Sequence, residues 1–249
     1  MTTQMHLAAQ YLAAAGSSFL EKKEDDSHTN LGFSIEERSL STHPLNDNGD
    51  VFSLNYNRFT LEWNTKNSKS SLRLNQTTHA EILKWIQQTA EEANIHEPYK
   101  YNLHYRLPYN PVTGHFEFKL NDVKRLHELA DFRTLAQRTL EIFLENQRLK
   151  SDIRIWPHHF DTGAFVELEN DSAISLRLGL AIPDKMIGDY YFYISGYRGY
   201  DSIDTSGFSS LTNGKWYTRG FKGAVLPVSK INQNDGVTFF NEALAAYII

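Results

Sequence analysis

The segment Trp156-Pro157-His158-His159-Phe160-Asp161 gathers two imidazoles, a carboxylate and an indole within six residues. A neutral imidazole beside a carboxylate suits two kinds of chemistry: an oriented acid–base pair, or coordination of a divalent metal. Pro157 biases Trp156 toward extended backbone and removes a donor from any strand ladder, so a strand is expected to end or bulge here. In locally extended chain, His159 and Asp161 point to one side and Trp156 and His158 to the other. The expected catalytic set is therefore His158, His159 and Asp161, with His159 and Asp161 as the pair that would hold a metal. A metal site needs further ligands, and Glu167, Asp184, Asp189 and His104 are the unranked candidates. The competing structural reading is an imidazole bonded to backbone, with Asp161 capping a turn.

A second chemical stretch is Tyr190-Tyr191-Phe192-Tyr193, followed by Tyr197, Tyr200, Asp201 and Asp204. On a strand, Tyr191, Tyr193 and Ser195 share one face, and a tyrosine wall offers a flat surface and a hydroxyl together. Trp216 lies in a third stretch, Gly214 to Ala224, whose spaced glycines and Arg219 and Lys222 could meet an anion. Tyr191, Tyr193 and Trp216 are the expected ligand-binding residues. The bland alternatives are aromatic core and a plain hairpin surface. The acidic loop Lys23 to Asn30 reads as a solvated charge run that could bind a cation.

These residues need elements to position them. The chain has 249 residues, 41% hydrophobic and 22% charged, and no cysteine. That length buries a core without disulfide or metal, and the missing thiols exclude thiol nucleophiles, Cys-ligated zinc and iron–sulfur clusters. The formal charge of −5 supplies no general attraction for nucleic acid or anionic lipid, and no apolar run is long enough to span a membrane. Phosphate-loop, dinucleotide, zincin and nucleophile-elbow motifs are missing. The Ala-rich N-terminus lacks a basic residue before Lys22, so a folded amphipathic helix over 4–15 is expected rather than a secretory signal, and the expected location is cytoplasmic.

Alternation predicts strands at Leu31–Leu40, Val51–Tyr56, Arg58–Asn64, Ser71–Leu74 and Tyr99–Leu107. Thr78-His79-Ala80-Glu81 reads as a capping box opening a helix to Ala93. A long helical stretch follows over Asn121–Leu149, with a break near Asp131. Beyond it come strands at Asp152–Trp156, Ala164–Glu169, Ile174–Ile182, Tyr190–Ser195 and within Lys215–Val228. A hairpin turn at Asn170-Asp171 and a closing helix over Val237–Ile248 complete the reading. Strands grouped before helices predict an α+β fold of two β-rich lobes with predominantly antiparallel sheets, residues 1–150 and 151–249, joined by the long helical segment.

The succession WPHHFDTGAFVEL, LGLAIPD, YYFYISGY, GKWYTRGFKGAVLP and FFNEALAAYI, with LAAQYLAAAG and EDDSHTNLGFS upstream, resembles an uncharacterised bacterial family of unknown function. The resemblance covers most of the chain, and WPHHFD and GAVLP are its most specific pieces. It implies that His158, His159 and Asp161 are a family feature, and it transfers no catalytic role. The expected function is a small-molecule enzyme with a polar-aromatic cleft, its substrate carbohydrate-like. The alternatives are a non-catalytic ligand-binding module and an interaction or scaffold protein.

Overall fold

In the computed structural model, which describes residues 1–168, 173–229 and 231–248, the chain forms four helices and two antiparallel sheets of five and seven strands. The α+β architecture with two sheets is as the alternation required. The expected turn at Asn170-Asp171 lies outside the described residues. The chain divides into two compact units, Met1–Asp131 with Ile155–Phe160, and Phe132–Arg154 with Asp161–Ile249. This differs from the expected boundary after Lys150, because the long helix α3, Val123–Gln147, is shared. Its first nine residues belong to one unit and the rest to the other.

The first unit is built on α1, Thr2–Phe19, and the sheet β1 Gly32–Ser34, β2 Ser39–Ser41, β3 Val51–Asn55, β4 Thr60–Asn64 and β5 Lys69–Arg73, in that spatial order. Every residue of α1 from Met5 to Gly16 is buried, so it is a central helix and not the two-faced one expected. Its Ala-rich sequence lets backbone approach from all sides, and Gly16 is the limit case: a Cβ there would lie 2.6 Å from the His28 carbonyl oxygen. Phe52, Leu54, Leu61 and Trp63 form the buried sheet face. Helix α2, His79–Glu92, opens with the predicted capping box, in which Thr78 and Glu81 satisfy each other's backbone donors.

Two expectations fail in this unit. Leu31–Leu40 is not one strand but β1 and β2 folded back through a turn at 35–38, where Arg38 takes a positive φ of 50°. Tyr99–Leu107 joins no sheet. Its tyrosines turn instead to α1: the Tyr99 hydroxyl donates to the Tyr11 carbonyl at 3.1 Å and the Tyr105 hydroxyl to Gln10 Oε1 at 2.6 Å. These side-chain bonds, with Pro98, Pro108 and Pro111 denying ladder donors, replace strand pairing.

The second unit carries β7 Asp161–Glu167, β8 Ile174–Ala181, β9 Tyr191–Arg198, β10 Asp201–Ser202, β11 Lys215–Tyr217 and β12 Gly223–Pro227, numbered after the short β6, Arg154–Trp156. They run antiparallel in the order β11-β12-β9-β8-β7, with β10 beside β9. One face of this sheet is apolar: Val166, Leu176, Leu178, Leu180, Phe192 and Ile194 are buried. Helix α4, Gln233–Tyr247, covers it through Phe239, Phe240, Ala243 and Leu244, with the ring of Phe143 of α3 tilted against that of Phe240, 5.3 Å between centres. Burial of that face is the main stabilising term of the unit, on the order of 1.5–3 kcal/mol for each large side chain. The opposite face carries the polar and aromatic side chains.

Candidate functional site

Cross-strand register assembles the site. Gly163 of β7 lies opposite Gly179 of β8, and Gly179 lies opposite Tyr193 of β9. Residues directly opposite share a face, and so do residues two apart on one strand. Asp161, Gly163, Gly179, Tyr191 and Tyr193 are therefore on one face, away from α4. The two glycines clear a strip through which the Tyr193 phenol crosses the sheet. A Cβ on Gly163 would lie 3.2 Å from the Tyr193 hydroxyl, and one on Gly179 would lie 2.2 Å from the Thr162 carbonyl oxygen.

At the far end of the strip the Tyr193 hydroxyl donates to Asp161 Oδ2. Asp161 is only 8% exposed, and its other oxygen, Oδ1, is buried with no hydrogen-bond partner. Such an orphaned carboxylate oxygen costs free energy unless a donor reaches it. Beside this pair the Tyr191 hydroxyl donates to Asp184 Oδ2 at 2.8 Å. The loop carrying Asp184 is fixed by its own Oδ1, which accepts from the backbone of Met186 and Ile187. Burial, and then the Asp161 charge, hold the Tyr193 hydroxyl protonated well above the usual tyrosine range, and burial with the Asp184 bond does the same for Tyr191. Both phenols thus stay donors at neutral pH, each spent on a carboxylate. Phe221 closes one side, its ring 6.5 Å from that of Tyr193 and perpendicular to it.

Trp216 is not part of this face. It lies opposite Ala224, which lies opposite Ile194, so it points to the helix-covered side. There it packs against Phe208 and Tyr247 and donates its indole N–H to the Ser209 carbonyl at 2.9 Å. Of the expected ligand-binding residues, Tyr191 and Tyr193 are brought together and Trp216 is structural.

His158 and His159 belong to the first unit, Asp161 to the second. The extended-chain parity expected across this segment does not hold, because 157–160 is a turn and Phe160 takes φ of 59°. The turn brings the two imidazoles side by side, 4.3 Å between ring centres, with the Tyr105 ring 5.7 Å from His158. His159 is exposed and His158 half-buried. Pro157 anchors the turn: its carbonyl accepts from His6 Nε2 at 2.8 Å and Gln10 Nε2 at 3.0 Å, while His6 stacks on Phe160 at 4.7 Å.

Of the other expected ligands, Asp184 holds Tyr191 at this face, and His104 and Asp189 are engaged elsewhere. His104 pairs with Asp26 at 3.0 Å, and Asp189 caps the backbone of Tyr190 and Ser229. Glu167 lies exposed near the far end of β7. Among the described residues no group of three or more His, Asp or Glu is placed to hold a metal ion, so the coordination set expected around His159 and Asp161 is not assembled there. Arg219 is exposed on its loop, Tyr200 is fully exposed, and Asp204 binds Ser206 locally. Gly163, Gly179 and Phe221 were not singled out as site residues by sequence. Glycine inside a strand is the signal that marks close approach of another group.

Comparison with known proteins adds no relative: no family model, no curated protein and no solved structure matches the chain.

Proposed function

We propose that the chain binds a small, hydroxyl-bearing ligand, carbohydrate-like in size and polarity, on the polar-aromatic face of the second unit's sheet. The observation that supports this reading is the buried Asp161 carboxylate, one oxygen held by Tyr193 and the other without a donor. A ligand hydroxyl supplies that donor, and Tyr191, Tyr193 and Phe221 supply aromatic surface for the apolar face of a ring. Binding leads over catalysis because both phenols and one oxygen of each carboxylate are already held by fixed partners, which favours recognition by a preorganised surface. The enzymatic alternative assigns the chemistry to His158 and His159.

The test is calorimetric titration of a monosaccharide and polyol panel into the whole protein, with product analysis of each mixture. A saturable hit is expected, weakened about tenfold or more in Asp161→Ala, the loss of one charge-assisted hydrogen bond. Glu145→Ala, exposed on α3, should bind as the parent does. Binding that survives Asp161→Ala unchanged would remove this face as the site. Product formation abolished by His158→Ala or His159→Ala, at unchanged thermal stability, would favour the enzymatic reading.

A further inference from the structure

The donor inventory around Asp161 and Asp184 is one-sided. The Tyr193 hydroxyl proton goes to Asp161 and the Tyr191 hydroxyl proton to Asp184, so what the two pairs leave open is acceptor capacity only. Asp161 Oδ1 is buried and unpartnered, and among the described residues Asp161 makes no ion pair. Three cations of the unit are directed at other groups. Arg177 lies over the Tyr197 ring at 4.8 Å and Lys215 over the Tyr217 ring at 4.8 Å. Arg133 donates to Thr162, which alternation puts on the opposite face of β7 from Asp161. Among the described residues neither Asp161 nor Asp184 makes an ion pair, and both charges act on the Tyr191 hydroxyl.

A neutral hydroxyl supplies one donor to Oδ1 but leaves the carboxylate charge unneutralised. An ammonium group brings three donors and no acceptor, neutralises the buried carboxylate, and is attracted to aromatic faces. We infer that the site selects ligands bearing a protonated primary amine, seated on Asp161 Oδ1 between the Tyr191 and Tyr193 side chains, an amino sugar being the simplest compound with both features. This rests on the sheet face being the ligand site, and it makes the charge of the ligand the specificity determinant.

The experiment compares glucosamine, glucose and N-acetylglucosamine by calorimetry on the whole protein at neutral pH and moderate salt. Glucosamine should bind at least about tenfold tighter than the other two, the difference expected for a charge-assisted over a neutral hydrogen bond. Asp161→Asn should erase that preference while leaving weak binding of glucose. Should Asp161→Asn fail to fold, Asp184→Asn serves in its place and should reduce the preference. Equal affinity for glucose and glucosamine overturns the amine inference and leaves the hydroxyl-ligand reading standing. A preference that persists in both variants overturns the assignment to this pair of carboxylates. Binding of none of the three overturns this inference, and a blank across the wider polyol panel overturns the reading beneath it as well.

Discussion

At the scale of single residues the two strand glycines decide whether the Asp161–Tyr193 pair exists. Gly179 faces Gly163 on one strand and Tyr193 on the other, and any Cβ on it meets the Thr162 backbone at 2.2 Å. Backbone cannot yield as a side-chain tip would, so Gly179→Ala should lower unfolding stability by about 2–3 kcal/mol, the range of overpacked sites. Denaturant unfolding measures it, and a change under about 0.5 kcal/mol would show that the strands open without cost. Sequence singled out Tyr193 and Asp161 separately, from residue type. Their partnership joins residues 32 apart and depends on register, which local alternation does not carry. The same limit explains His159 and Asp161. Period-two parity put them together, but it assumes extended backbone, and the turn after Trp156 breaks that assumption.

At the scale of elements, the signals that came through are those whose physics is local. The Thr78–Glu81 box reads identically in sequence and structure because both partners lie within one helical turn. Thr78→Ala should cost about 1 kcal/mol, and Asn232→Ala, which removes the matching box at the start of α4, a similar amount. Thermal unfolding checks both, and variants as stable as the parent would make the boxes decorative. The alternating Ile174, Leu176, Leu178 and Leu180 are all buried, as is the α4 stripe Phe239, Phe240, Ala243, Leu244 and Tyr247. Tyr99–Leu107 had a strand-like composition too, yet no sheet edge takes it up. Aromatic enrichment marks a half-buried surface equally well whether the neighbour is a strand or, as here, a helix.

At the scale of the whole molecule, pH should act unevenly on the two units. Burial pushes the imidazoles of His28 and His79 down, and both belong to the first unit. Their unfolded value is about 6.5, so between that pH and the lowered folded values the unfolded chain binds more protons. Stability of the first unit is thus full above about pH 6.5, falls as pH drops through that window, and levels off below it. Glu62 adds a second loss further down: burial opposes its ionisation, but its bonds to Lys69, Arg58 and Thr60 outweigh that and hold its pKa low. Protection factors at α1 and β3 amides, which divide out the slower intrinsic exchange at low pH, should fall on acidification within this range, and less so in His79→Gln. Protection factors in β8 and β9 should change little over the same range, and a uniform fall across both units would contradict the assignment. The sequence by itself determined the α+β class, most strand and helix positions, the caps and the chemical richness of Trp156–Asp161 and Tyr190–Tyr193. Each of these rests on periodicity or on contacts within a few residues. Only the tertiary structure decided that the units divide inside α3, that α1 is enclosed on every side, that Trp216 faces the helices, and that Asp161 belongs with Tyr193. These depend on strand register and on which surfaces meet, and such long-range pairings leave no local trace in the order of residues.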